Sequence, residues 1–210
     1  MYYFKTNHIF YLLFNLLIDN YAPYIYNIHV IPFVHACITS SYSNYLLFND
    51  QEKYFNISIY EKNEINELYY SVPLYTFIYL FFHVKDALSK NKEYILHAYM
   101  MIFMCGLCIY GDKNHYFTNA LLIESSTVFL HLMYAFKYDV FKYMFVTSFV
   151  IYRGFIFPYM CIHFTQNHYN DIIRANNIHF LYFCILLLSN YLNMNWLFLI
   201  YTKLKKQHVS

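Results

Sequence analysis

Leu121-Leu122-Ile123-Glu124-Ser125-Ser126-Thr127-Val128-Phe129-Leu130 and Ile151-Tyr152-Arg153-Gly154-Phe155 each hold an ionisable side chain within a long apolar run. His35 and His97 sit the same way in two other runs. A charge at the centre of a bilayer costs on the order of 3 kcal/mol on insertion scales, so it must face a partner or a polar cavity. Glu124, Arg153, His35 and His97 therefore read as the lining of an intramembrane site, and the fold as a bundle of transmembrane helices.

Composition agrees with that reading. Of the 210 residues, 60% are hydrophobic, 24% aromatic and only 12% charged. A soluble domain of this size needs more charge on its surface. Tyrosine and phenylalanine, 27 and 22 in number, are amphipathic and apolar anchors for the membrane interface. A hydrocarbon core about 30 Å thick needs roughly 20 apolar residues per helix. Six runs meet or approach that length: Tyr24–Phe48, Leu68–Val84, Tyr94–Tyr110, Phe117–Phe136, Val140–Phe164 and Ile178–Tyr201. The expected fold is an all-α integral membrane protein, a bundle of six transmembrane helices plus a short N-terminal hydrophobic segment. Residues 1–23 hold that segment, whose run Ile9–Ile18 is too short to span alone; 24–203 form the transmembrane domain and 204–210 a basic tail.

Lysine placement orients the bundle. With six spans, Lys85, Lys90, Lys92, Lys137, Lys142, Lys203, Lys205 and Lys206 fall on one side. The poorer side carries Lys5, Lys53, Lys62, Lys113 and Arg174. The richer side is expected to be cytosolic, and the C-terminus with it. The loop from Asn49 to Glu67 is then lumenal and contains the sequon Asn56-Ile57-Ser58. Net charge is only +2 and the lysines flank helices, so no nucleic-acid partner is expected.

Each candidate residue has a chemical and a structural reading. His97, Met101 and Cys105 share one helix face. Such soft ligands can hold copper, but Met and Cys are also ordinary core fillers, and no metal or cofactor is assigned. Cys105-Gly106-Leu107-Cys108 has redox-pair spacing; small-residue helix packing accounts for it more simply. Glu124, Thr127 and His131 form one polar stripe, which must face the bundle interior. Glu124 is either a general base or polariser of His97, or the buried partner of Arg153. Arg153 has the planar fork that holds a phosphate or carboxylate, and Gly154 beside it allows close approach of a neighbour. His163 falls at the interface. Asn193 and Trp196 share a face of the last run, with Asn193 placed to hydrogen-bond between helices.

Taken in order, Val34-His35-Ala36, Asp86, His97, Glu124-Ser125-Ser126-Thr127 with Phe129 and Leu130, Arg153, and Leu192-Asn193-Met194-Asn195-Trp196 resemble the TLC family (TRAM, LAG and CLN8-like). The resemblance covers roughly residues 25–203 and is to the small TLC-domain-containing subgroup. It implies a bundle of six or more helices in the endoplasmic reticulum membrane and a role in lipid composition. Membrane lipid is the partner it suggests, joined by acyl-CoA if the chain is an enzyme that transfers acyl groups. The ceramide synthases of the family use a His-His pair and downstream paired aspartates. Here His97 is followed by Ala98, and Glu124-Ser125-Ser126-Thr127 stands where the aspartates belong, so ceramide synthesis is not expected. The site this suggests has His97 and Glu124 as catalytic groups and His35, Arg153, Asn193 and Trp196 around a lipid. A non-enzymatic cargo or lipid receptor, or a structural subunit of a membrane complex, is the alternative.

Overall fold

The computed structural model describes residues 24–25, 28–49, 76–77, 79, 92–110, 114–174 and 177–207. Side chains are described at 30–49, 76–77, 79, 96, 99–110, 116–174 and 178–205. Ile9–Ile18, the sequon at Asn56, Asp86 and most of the second apolar run lie outside the described residues.

Apart from one two-residue ladder, the described architecture is helical. Strands β1 (Tyr24–Ile25) and β2 (Ile28–His29) pair antiparallel, with Tyr24 opposite His29 and Ile25 opposite Ile28. Helix α1 then runs over Val30–Asn49, so the first apolar run turns helical six residues later than its hydropathy suggests. Pro32 explains the start. It lacks an N–H and is tolerated in a first helical turn but not further in.

Helix α2 spans Lys92–Tyr110 and α3 Asn114–Ala120. A single 3₁₀ turn, Leu121–Ile123, joins α3 to α4, Glu124–Phe136. Lys137 closes α4 in the left-handed conformation, with φ of 54° and its N–H on the Met133 carbonyl. Extended Tyr138 follows, and α5 (Asp139–Phe149) returns antiparallel against α4. Asp139 in the first turn of α5 suits the positive end of its dipole.

The fifth run is not a plain helix. Val150–Ile156 widens into a π-helical segment before α6, Phe157–Asn167. There the Phe157 N–H reaches the Tyr152 carbonyl, five residues back. Pro158 gives a local cause: in a regular helix its ring would collide with the carbonyl of Gly154 and leave that carbonyl without a donor. Helix α7 is short, Tyr169–Ile173, and α8 runs for 31 residues over Asn177–Gln207. At 1.5 Å per residue α8 is about 46 Å long, so it tilts or projects beyond a bilayer core.

Two helical stretches among the described residues are long and apolar enough to cross a membrane, Asp139–Asn167 and Ile178–Lys205, and only 28% of each apolar window is buried. Phe155, Ile162, Leu187, Tyr191 and Phe198 point outward, whereas Thr39, Ser43, Thr118, Ser126, Arg153 and Asn193 are inside. That inversion is what helix packing in lipid produces. Outside, lipid accepts apolar side chains. Inside, small hydroxyls let backbones approach and hydrogen-bond across helices.

The apolar centre is built by Met100, Met104, Cys105, Phe117, Leu121, Leu122, Phe157 and Leu186. Cys105 and Cys108 are buried, are not joined in a disulfide and belong to it. A methyl group at Gly106 would lie 3.7 Å from the Phe77 ring, an ordinary contact, whereas one at Gly154 would lie 3.3 Å from Leu197 Cδ1. Gly106→Ala is therefore expected to raise stability by up to about 1 kcal/mol, the helix-propensity gain. Gly154→Ala should gain less, because Leu197 must yield. Thermal denaturation midpoints in micelles compare the two, and a Gly106→Ala loss larger than that of Gly154→Ala would contradict the packing described.

Candidate functional site

Arg153 organises the polar interior. It lies midway along the spanning stretch Asp139–Asn167, within the π-helical segment, and only 5% of it is exposed. Its Nε donates to Ser126 Oγ at 3.0 Å, Nη1 to Asn193 Oδ1 at 3.1 Å and Nη2 to Thr127 Oγ1 at 3.2 Å. Its guanidinium carbon is 5.1 Å from the centre of the Phe149 ring and 5.6 Å from that of Trp196. The planar fork is thus held by neutral oxygens from α4 and α8, with aromatic faces beside it, an arrangement that suits a weakly hydrated guanidinium better than an ammonium. A guanidinium has five N–H donors. Three serve these bonds, so two remain for water or a ligand oxygen.

Local sequence explains why one turn can serve two neighbours. Ser126 Oγ donates to the Ile123 carbonyl at 2.8 Å while accepting from Arg153. Ser125, the residue before, accepts from Asn44 Nδ2 at 2.8 Å. The same Asn44 nitrogen reaches the Ser40 carbonyl at 2.8 Å, and Asn44 Oδ1 accepts from Tyr152 OH at 3.1 Å. Adjacent residues of α4 therefore face different partners: Ser125 faces α1, whereas Ser126 and Thr127 face Arg153. Ser43 Oγ adds a bond to the Thr118 carbonyl at 3.0 Å. The network ties α1, α3, α4, the π segment and α8 together.

The residues singled out in the sequence do not all meet. Arg153, Asn193, Trp196 and Thr127 form one node. Glu124 is within electrostatic reach of Arg153, but the hydrogen bonds of the guanidinium go to Ser126, Asn193 and Thr127. Glu124 therefore acts on Arg153 through its charge, and neutral acceptors take the guanidinium's hydrogen bonds. His131 lies off the node, edge-on to Phe33 with ring centres 6.1 Å apart. His35 is buried on α1 and stacks on Tyr79 at 3.9 Å, the planes 10° apart; its carbonyl takes the Thr39 hydroxyl at 2.8 Å. The backbone of His97 is in α2, and its side chain lies outside the described residues. His163 is partly buried near the end of α6, its Nδ1 3.1 Å from Asn167 Nδ2.

Asn44, Ser126 and Tyr152 are the members that sequence reading overlooked as individuals. Asn44 carried one signal, an amide inside an apolar run, equal in kind to the signal at Asn193. Tyr152 carried none in a chain with 27 tyrosines.

Beside the node is a cavity lined by Met101, Met104, Ala120, Ile123, Phe157, Ser189, Leu192 and Asn193. At about 10 Å³ it has room for roughly one water. Asn193 Nδ2 is buried and has no hydrogen-bond partner among the described residues, so the cavity carries a polar donor at its Arg153 end. Apart from Ser189 the other walls are apolar, and the two methionines are adaptable fillers able to repack around a larger guest.

The model of the TLC domain (TRAM, LAG1, CLN8) matches residues 26–202. No curated protein and no solved structure matches the chain.

Proposed function

The chain belongs to the TLC domain family, and from that membership we propose that it acts in lipid homeostasis by binding a lipid or acyl chain within its bundle. The family is associated with membrane lipid metabolism, and its members are membrane proteins, generally of the endoplasmic reticulum. In this reading the protein resides in that membrane with its C-terminus cytosolic. The observation that carries the proposal is a buried Arg153 with two unspent donors next to a methionine-lined cavity whose polar end is Asn193. An amphipathic guest needs both parts, a donor set for its oxygen-bearing head and an apolar channel for its chain. Its entry requires Met101 and Met104 to move, since the closed cavity has room for one water.

If the bound lipid reacts, acyl transfer is the reaction we favour. His97 would take the proton from an acceptor hydroxyl or amine as its oxygen or nitrogen bonds to the thioester carbonyl carbon of acyl-CoA. The carbon–sulfur bond would break, and the leaving thiolate would take the proton back from His97. Glu124 would orient His97, and Arg153 would hold the anionic group. A receptor reading has its own support: all three hydrogen bonds of Arg153 go to the protein itself, as in a node that shapes a binding bundle without chemistry.

Lipid profiling after depletion separates these outcomes. Wild-type protein is expected to restore the profile, and His97→Ala or Glu124→Gln at matched protein level to fail. Equal rescue by both variants would move the assignment to a receptor. An unchanged lipid profile on depletion would overturn the lipid role itself.

A further inference from the structure

A second cluster of ionisable groups lies away from the Arg153 node, where α6, α7 and α8 meet. His168 sits between α6 and α7, Asp171 on α7 and His179 near the start of α8. His168 Nδ1 is 3.5 Å and His179 Nδ1 is 3.8 Å from the same carboxylate oxygen, Asp171 Oδ2. The two imidazoles stack with centres 4.5 Å apart and planes 15° apart. One ligand atom from each of the three residues lies within 4.8 Å of the others.

We propose that His168, Asp171 and His179 form a site for a divalent transition-metal ion of the zinc class, clipping the end of α6 to the start of α8. The spacing is the first argument. Zinc binds nitrogen and oxygen ligands at about 2.0–2.2 Å in a tetrahedron, which puts neighbouring ligand atoms roughly 3.3–3.6 Å apart. The two His–Asp separations are already within a few tenths of an ångström of that. The three ligand atoms lie within 4.8 Å of one another and the imidazoles are stacked, so binding requires the two rings to turn out of their stack and aim both Nδ1 atoms at the ion. Two imidazoles and a carboxylate are also the ligand chemistry that zinc accepts.

The surroundings of His168 are the second argument. Its Nε2 lies 2.7 Å from the hydroxyl of Tyr116. With Nδ1 given to the ion, Nε2–H donates to that hydroxyl oxygen, the outer-shell bond that fixes ring orientation in metal-binding histidines. Tyr116 is itself rigidly placed. It is buried, packs edge-on to Phe164, and its carbonyl accepts the Tyr182 hydroxyl at 2.8 Å. Access is one-sided: the His168 and His179 side chains are 12% and 11% exposed and Asp171 45%. Solvent on the Asp171 side can supply the fourth ligand. The role that follows is structural. α6 continues the segment that carries Arg153, and α8 carries Asn193, so an ion here would hold together the two helices that meet at the node.

The full chain in detergent micelles, stripped by a chelator, is titrated with Zn²⁺ and separately with Co²⁺. One equivalent of Zn²⁺ is expected to bind, and Co²⁺ to give the intense visible bands of a four-coordinate nitrogen–oxygen site without a thiolate charge-transfer band. His179→Asn should abolish this binding, Asp171→Asn should weaken it tenfold or more, and Tyr116→Phe by about 10–100-fold. His163→Asn, on the neighbouring face of α6, should leave it unchanged. Asp171 is half-exposed, so its variant keeps the test sound if the histidine variant fails to fold. Absence of stoichiometric binding, or equal binding by wild type and Asp171→Asn, overturns the site. None of these readouts depends on lipid activity.

Discussion

Arg153→Ala is expected to destabilise the folded bundle by about 3–5 kcal/mol. Three interhelical hydrogen bonds disappear, each worth about 0.6 kcal/mol on average and up to 1.7 in a membrane protein. Two aromatic faces lose a cation, at about 0.5–2 kcal/mol each when desolvated. The unfolded reference strengthens the effect. On a separated helix an arginine near mid-span stays costly in lipid, so the native node relieves a penalty that alanine never incurs. Companion variants apportion the loss. Arg153→Lys keeps a charge but not the fork, and should lie between wild type and alanine. Arg153→Met fills the volume and removes every donor. Reversible unfolding in mixed micelles is the measurement, and a Met variant as stable as wild type would show that the hydrogen bonds contribute nothing net.

Phe157→Ala should cost about 2–4 kcal/mol and open the cavity at the same time. The ring is 1% exposed, stands at the joint of the π segment and α6, and lines the cavity. In water such a truncation costs about 3–5 kcal/mol. In lipid the transfer part shrinks, because acyl chains are as apolar as the core, and the packing loss remains. An enlarged apolar cavity stays dry and takes a small guest; one of about 150 Å³ binds benzene or xenon. Benzene should therefore raise the thermal midpoint of Phe157→Ala and leave that of wild type unchanged. Equal shifts would mean that the surrounding side chains collapse onto the vacated space, with Met101 and Met104 the first candidates.

Much of the helical plan is legible without coordinates. The last four apolar runs each coincide with helix to within a few residues, because an uninterrupted apolar run in lipid leaves the backbone no other way to satisfy its polar groups. The exceptions are proline effects. Pro32 shortens the first run at its start, and Pro158 accompanies the π segment in the fifth. Prolines are visible in sequence, but whether one kinks, widens or begins a helix depends on what packs against it. The polar residues divide in a similar way. An isolated arginine in an apolar run must be buried against something, so Arg153 could be picked out from sequence alone, and Asn193 with it.

What the sequence determined by itself is the membrane character of the chain, its helical stretches and the list of polar groups that have to face inward. These follow from a local balance between apolar length and the cost of each charge in lipid. Tertiary structure decided who meets whom. It gave the hydrogen bonds of Arg153 to Ser126, Thr127 and Asn193, left Glu124 to act through its charge, and gave Ser125 to Asn44 on another helix. It also brought His168 and His179, eleven positions apart in the chain, to one carboxylate. Such pairings depend on helix rotation and on a π segment that turns the face of its helix, and no spacing in a single run encodes the orientation of a neighbour.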